Sequence, residues 1–163
     1  MSSLAVGDKA PDFSLEADNG QRISLSWLRG KRFVLYFYPK DDTPGCTKEA
    51  CDFRDLSPEL AKTDTLIFGV SADDVASHQR FSRKFELNFP LLSDGQAKVS
   101  RAFGVYKKKS MYGRTFDGIE RTTFVIDEEG RISHIFPKVK VEGHAGAILT
   151  LLDALKDPAA AKR

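Results

Sequence analysis

The sequence has little of several features that define specialised classes of protein. Its 163 residues include only two cysteines, and no stretch approaches the ~20 apolar residues that a membrane-spanning helix needs. The N-terminus shows no basic segment followed by an apolar one, so we expect no secretory signal and a cytoplasmic protein without a membrane partner. In that compartment, two close cysteines are more often catalytic or metal-binding than a structural disulfide.

An excess of charge of one sign is also lacking. The 25 Lys and Arg residues nearly balance 23 Asp and Glu residues, which leaves a formal net charge of +2. No basic stripe with interleaved aromatic residues is present, so we expect no nucleic-acid partner. The longest basic run, Lys107 to Lys109, is interpreted as part of a solvated loop at 107–118.

What the chain does have is an alternation of apolar runs and amphipathic segments. The apolar run at 32–38 predicts a strand buried on both faces. Thr43, as N-cap, and Pro44 predict the start of a helix that runs to about Leu60. The other predicted elements are a hairpin at 12–25, a helical turn at 26–30, strands at 65–72 and 89–94, helices at 74–85, 97–104 and 144–155, and a hairpin at 119–137.

The order of these elements predicts an α/β protein. A thioredoxin-like fold suits it, with a central mixed β-sheet flanked by helices and an N-terminal β-hairpin extension. We expect a single domain over residues 1–156, followed by a frayed tail at 157–163.

Both cysteines lie in the segment PKDDTPGCTKEAC, residues 39–51. Cys46 falls in the first turn of the predicted helix, directly after a buried strand. A helix N-terminus offers unpaired N–H groups and a partial positive charge, and both favour a thiolate. Thr43 is placed either to aim its hydroxyl at the sulfur or to cap the helix. We also expect a cationic donor near Cys46, brought there by another element.

Cys51 stands five positions after Cys46. On an ideal helix, residues at this spacing are rotated by ~140° and their Cα atoms lie roughly 8–9 Å apart. A disulfide tolerates a Cα separation of about 7 Å at most. If both cysteines are helical, they therefore form a disulfide only after the intervening turn unwinds.

Several other uses of the two cysteines stay open at this point. A zinc site needs about four ligands, and the three histidines, at 78, 134 and 144, are widely spaced, so we expect no metal. A thioredoxin-like disulfide oxidoreductase typically has C-x-x-C, whereas this chain has C-x₄-C. Two inert buried thiols fit poorly with the polar residues before Cys46. A non-catalytic redox sensor, in which the pair switches the shape of the helix, is a further possibility.

The same segment resembles the active-site segment of peroxiredoxins, which are thiol peroxidases of thioredoxin fold. Their signature P-x-x-x-T/S-x-x-C is met by Pro39, Thr43 and Cys46. Cys51 resembles the second cysteine of the peroxiredoxin Q subfamily, also called bacterioferritin comigratory protein. The segments GDKAPDFSL, YGRTFDGIERTTFVIDEEGRI and HAGAILTLL resemble the family's N-terminal opening, arginine-bearing hairpin and last helix, so the likeness covers nearly the whole chain.

The resemblance implies a role for each residue that matches the motif. Cys46 would be the peroxidatic thiolate that attacks hydrogen peroxide and organic hydroperoxides. Thr43 and Gly45 would bind the substrate, with the Thr43 hydroxyl bonded to the peroxide and the sulfur. Pro39 would shield the site from water. Arg121, in ERTTF, matches the family's arginine that binds the peroxide oxygens and would be the expected cationic donor.

The resemblance also implies how the enzyme recovers. Cys51 would be the resolving cysteine, which attacks the sulfenic acid of Cys46 and forms an intramolecular disulfide. Thioredoxin or glutaredoxin would then reduce the disulfide. The family implies no cofactor and a monomer, and it places the 107–118 loop near the mouth of the active site.

Overall fold

A mixed seven-stranded β-sheet forms the centre of the computed structural model, which describes residues 4–156. The expectation for residues 157–163 lies outside this range. The strands of the sheet are Ser14–Ala17 (β1), Arg22–Ser24 (β2), Arg32–Phe37 (β3), Thr65–Ser71 (β4), Leu91–Ser93 (β5), Thr122–Ile126 (β8) and Ile132–Phe136 (β9). Two further strands, Tyr106–Met111 (β6) and Arg114–Ile119 (β7), form a separate hairpin.

The sheet has the strand order β2-β1-β5-β4-β3-β8-β9. Its three central strands β5, β4 and β3 are parallel, whereas the β1–β2 hairpin and β8 pair antiparallel to their neighbours. The part of the chain that the structure describes contains five helices, Pro44–Asp55 (α1), Ser57–Ala61 (α2), Val75–Lys84 (α3), Lys98–Ala102 (α4) and His144–Lys156 (α5). No helix within residues 4–156 is long and apolar enough to cross a membrane.

Strand β3 lies between two hydrophobic clusters, as its continuous apolar run predicts. Its odd-numbered residues, such as Phe33 and Phe37, pack in one cluster. Val34 and Tyr36 pack in the other, which also contains apolar residues of α1, α3 and α5. Alternate side chains of a strand point to opposite faces, so a strand covered on both faces is apolar throughout.

The single helix predicted from Pro44 to about Leu60 is wrong, because the structure divides it at Leu56 into α1 and α2. Pro58 has no N–H to donate to the carbonyl of Arg54, and its ring opposes a continuous helix. The Asn88 side chain donates to Arg54 O instead, at 3.4 Å.

The solvated loop expected at 107–118 is also wrong, because this segment forms most of the β6–β7 hairpin. Its lysines disfavour a strand by propensity, but pairing with a partner strand compensates for them. Lys109 donates to Ile119 O at 2.9 Å, and Lys107 forms an ion pair with Glu120 at 2.8 Å. The tip residue Tyr112 is almost fully exposed.

Candidate active site

The carboxyl end of β3 leads directly into the helix that carries both cysteines. After Phe37 the chain crosses a short loop, and α1 begins at Pro44, with Thr43 in the N-cap position as predicted. Cys46 is therefore the third residue of α1. It is buried, and its thiol is free. The first-turn amides of Gly45 and Cys46 lie where a helix has no intrahelical acceptor for its N–H groups.

Arg121 reaches this site because of the register of the sheet. Strand β8 runs antiparallel to β3, with Thr122 opposite Phe37, so the residue before β8 lies at the end of β3 where α1 begins. Val139 N donates to Arg121 O at 2.9 Å and holds the backbone there. Arg121 Nη2 donates to Cys46 Sγ at 3.3 Å, across 75 residues of sequence. The contact therefore places a positively charged hydrogen-bond donor against the sulfur.

Glu49 is a buried member of the site that the sequence analysis missed. Its Oε1 accepts from Arg121 Nη1 at 2.6 Å, while its Oε2 has no hydrogen-bond partner among the described residues. Burial raises the pKa of Glu49 to about 7, against the opposing effect of Arg121. The sequence does contain one sign of this role. Glu49 is a charged residue on the face of α1 that is otherwise made apolar by Cys46, Ala50 and Phe53.

His144 lies near the same guanidinium and stays uncharged. Burial and the charge of Arg121 lower the pKa of His144 to about 4. Its Nε2 is 2.8 Å from Thr123 Oγ1. The neutral ring therefore adds no positive charge next to Arg121 at neutral pH.

Thr43, Gly45 and Pro39 all lie in or beside the loop that precedes Cys46. The Thr43 hydroxyl donates to Lys40 O at 2.9 Å and makes no capping bond to the helix, so capping is not the role of its side chain here. A Cβ on Gly45 would stand 3.2 Å from Arg121 Nη2, which shows how closely the guanidinium approaches this turn. Pro39 is half-buried at the start of the loop.

Cys51 lies on the same continuous helix as Cys46, as expected, and it is half-buried with a free thiol. Residues five apart on a helix face directions that differ by ~140°. The helix that positions Cys46 beside Arg121 therefore also separates the two sulfurs.

A second buried polar cluster lies behind the loop. One ligand atom each from Asp41, Asp73 and His78 lies within 4.8 Å of the others, a grouping that the wide sequence spacing of these residues does not reveal. These groups already make hydrogen bonds within the protein. His78 Nδ1 is 2.7 Å from Asp41 Oδ2, and Asp73 Oδ2 accepts from Asp41 N at 2.8 Å.

Comparison with protein families and with curated proteins finds similarity to the same kind of protein. A model of the AhpC/TSA family matches residues 6–135. The chain is 52% identical over 147 residues to a putative peroxiredoxin bcp of Coxiella burnetii. The aligned region covers 90% of this chain and 97% of that relative. It is 49% identical over 152 residues to peroxiredoxin Bcp of Bacillus subtilis, covering 93% of this chain and 97% of the relative.

Solved structures show the same similarity. A Xanthomonas campestris bacterioferritin comigratory protein, studied for alkyl peroxide reduction, superposes with a TM-score of 0.84 at 46% identity, covering 89% of this chain and 92% of that one. A mutant PrxQ of Xylella fastidiosa gives a TM-score of 0.90 at 38% identity, covering 96% and 100%. These neighbours confirm the thioredoxin-like α/β fold predicted from the order of elements.

Proposed function

The chain belongs to the AhpC/TSA family and is a peroxiredoxin of the Bcp/PrxQ type, a thiol peroxidase, and from this premise we propose how its residues carry out the reaction. Cys46 is the peroxidatic nucleophile, and Cys51 resolves the product as an intramolecular disulfide. The observation that carries this assignment is the Arg121 guanidinium, which donates to Cys46 Sγ at 3.3 Å in the first turn of α1.

In the first step, the Cys46 thiolate attacks one oxygen of hydrogen peroxide or an organic hydroperoxide. A sulfur–oxygen bond forms and the O–O bond breaks, so that sulfur is oxidised to sulfenic acid while the reduced leaving oxygen departs as hydroxide or alkoxide and takes up a proton from solvent to become water or an alcohol. Arg121 and the Gly45 amide donate to the oxygens as charge develops on them. The Thr43 hydroxyl, whose proton is donated to Lys40 O, accepts a hydrogen bond from the O–H of the peroxide, and Pro39 keeps water from the sulfur.

In the second step, the Cys51 thiolate attacks the Cys46 sulfenic sulfur. The disulfide forms and hydroxide leaves, taking up a proton to become water. The ideal separation of roughly 8–9 Å between the two Cα atoms exceeds what a disulfide spans. The turn between the cysteines, which includes Glu49, therefore has to open.

Reduction of the disulfide closes the cycle, and we propose thioredoxin as the donor of the two electrons, with glutaredoxin as the alternative. The contact between Arg121 and Cys46 forms within the chain, so the proposed reaction needs no residue from a second copy, and we propose a monomer of one domain as the active unit. We propose the cytoplasm as its location, because the cycle depends on a dithiol reductant of the kind that keeps cytosolic thiols reduced.

A steady-state assay tests the proposed function. With a thioredoxin system present, the protein should consume many equivalents of hydrogen peroxide and of an organic hydroperoxide per chain. A redox sensor would consume about one equivalent, and a disulfide oxidoreductase would reduce insulin disulfides while ignoring peroxide. Either result would reject the peroxidase. Intact mass after one turnover should show the loss of two hydrogens that an intramolecular disulfide produces.

Replacing Cys51 by serine tests the resolving step separately. The first step should proceed, because Arg121 and the first turn of α1 are unchanged. The sulfenic acid of Cys46 should then persist and be oxidised further to sulfinic acid, which adds two oxygens to the mass of the thiol form. Normal recycling by thioredoxin in this variant would show that Cys51 does not resolve the intermediate.

A further inference from the structure

A buried ion pair links the loop before the nucleophile to a helix on the other side of that loop. Asp41 in the loop and His78 on α3 are both buried, and His78 Nδ1 lies 2.7 Å from Asp41 Oδ2. His78 Nε2 lies 2.9 Å from the carbonyl of Leu92 on β5. The pair therefore connects the loop both to α3 and to the central sheet.

The hydrogen bonds of the pair determine its charge state. A carbonyl only accepts, so His78 Nε2 carries a proton. Asp41 Oδ1 accepts from Tyr38 Oη at 2.6 Å, and Oδ2 accepts from Ser77 Oγ at 2.8 Å as well as facing His78 Nδ1. With Nε2 protonated, a second proton on Nδ1, donated to Asp41 Oδ2, makes the imidazole a cation, and the hydrogen bond to Asp41 favours this state.

The backbone of the same loop is held from the same side. Asp41 N donates to Asp73 Oδ2 at 2.8 Å, and Ser71 Oγ donates to the same oxygen at 2.6 Å. Asp42, the next residue, has a positive φ of 57°, a conformation that a non-glycine residue keeps only where its surroundings impose it. Only a few residues separate this fixed point from Cys46.

We propose that Asp41 and His78 are positioning residues for the peroxidatic step: their buried ion pair fixes the 39–43 loop so that Thr43 and the first-turn amides of α1 meet the peroxide at Cys46. Neither residue contacts the sulfur, and both act through the loop. The inference rests on the proposed function, because it concerns the geometry of that reaction.

The charge on His78 gives the positioning a pH dependence. Burial acts to lower the pKa of His78, but the hydrogen bond and charge of Asp41 outweigh it, with smaller contributions from Leu92 O and Asp73, so the pKa lies above its ordinary 6.5. Tyr38, from β3, also faces the ring at 3.5 Å. A raised pKa means that the pair stabilises the loop fully below pH 6.5 and loses this effect as pH rises through the folded value.

The test uses the Cys51→Ser variant as parent, because Cys46 is then the chain's one thiol. Two second-order rate constants are measured across pH by rapid quenching and thiol titration, one with hydrogen peroxide and one with iodoacetamide. Alkylation requires the thiolate but no donors placed for a peroxide, so the peroxide-to-alkylation ratio isolates positioning. Adding His78→Gln should lower this ratio about tenfold to a hundredfold near neutral pH.

The pH profile distinguishes positioning from general damage. In the parent, the ratio should fall on the alkaline side, whereas in the His78→Gln variant it should be low and independent of pH. Lys84→Gln is the matched control, because the exposed Lys84–Asp42 ion pair of 2.8 Å joins the same helix to the same loop, and it should change the ratio less than about twofold.

An unchanged ratio in a folded His78→Gln variant would overturn the inference while leaving the peroxidase intact. If the His78→Gln variant does not fold, the Cys51→Ser parent alone tests the proposal. A peroxide-to-alkylation ratio of the parent that stays constant from about pH 6 to about pH 10 would contradict it. A parent that reacts with peroxide no faster than a free cysteine would instead reject the proposed function itself.

Discussion

Replacing Cys46 by serine should abolish peroxide consumption entirely. A serine hydroxyl is not appreciably ionised at neutral pH, and the side chain that contacts position 46 is the Arg121 guanidinium, a hydrogen-bond donor that cannot take up the hydroxyl proton. The substitution changes one atom at a buried position, so the fold should persist. Cys51 cannot substitute for the nucleophile, because it lies on another side of α1.

The measurement is peroxide consumption with the thioredoxin system, beside the Cys51→Ser variant as matched control. Both variants keep one thiol, but only the control should react rapidly with a first equivalent of peroxide. Turnover by the Cys46→Ser variant would show that a different group is the nucleophile. Near-ultraviolet circular dichroism of the two variants should coincide, which separates lost chemistry from lost structure.

Local chemistry accounts for the features that the sequence predicted well. Thr43 and Pro44 predicted the first residue of α1 correctly, because the preference for an extended N-cap residue and for proline at the first helical position depends on neighbouring residues alone. The buried strand at 32–37 followed from its continuous apolar run. The interruption between α1 and α2 follows from Pro58, whose missing N–H and ring oppose a continuous helix.

Features that depend on pairing between distant segments were not readable from pattern. The sequence indicates Arg121 as a site residue only through its resemblance to the peroxiredoxin family, because the register of β8 beside β3 is what brings this residue to Cys46. The pairing of Asp41 with His78 spans 37 residues and has no local signature. The β6–β7 hairpin forms through the pairing of its two strands, although lysine, which is frequent in β6, is depleted in strands.

Replacing Arg121 by methionine should lower the second-order rate constant for peroxide by about 10²–10³, the usual effect of removing a donor that stabilises developing charge. Methionine keeps much of the arginine's length and apolar stem but donates no hydrogen bond to Cys46. The rate constant of the Arg121→Lys variant should lie between those of the unmodified protein and the Arg121→Met variant. Lysine supplies a positive charge but lacks the planar guanidinium that reaches Cys46 and Glu49 together. A rate equal to that of the unmodified protein in both variants would remove Arg121 from the mechanism.

Replacing Arg121 by methionine should also change how the free energy of unfolding depends on pH. In the unmodified protein, the pKa of Glu49 is raised from 4.5 to about 7 by burial, a difference that corresponds to about 3 kcal/mol. Because the pKa of Glu49 is higher in the folded protein than in the unfolded chain, this contribution to the free energy of unfolding is fully present below pH 4.5 and is lost as pH rises through about 7. Without Arg121 to oppose burial, the pKa of Glu49 should rise further, so the loss should continue to more alkaline pH.

Glu49→Gln separates this effect from catalysis. A glutamine retains the size of the buried side chain without its charge, so adding it to Arg121→Met should remove the pH-dependent loss of stability, measured as the urea midpoint across pH. It should not restore the peroxide rate, because the donor to Cys46 is still missing. A double variant that recovers fast reaction with peroxide would show that Arg121 acts by neutralising Glu49, and not by binding the oxygens of the substrate.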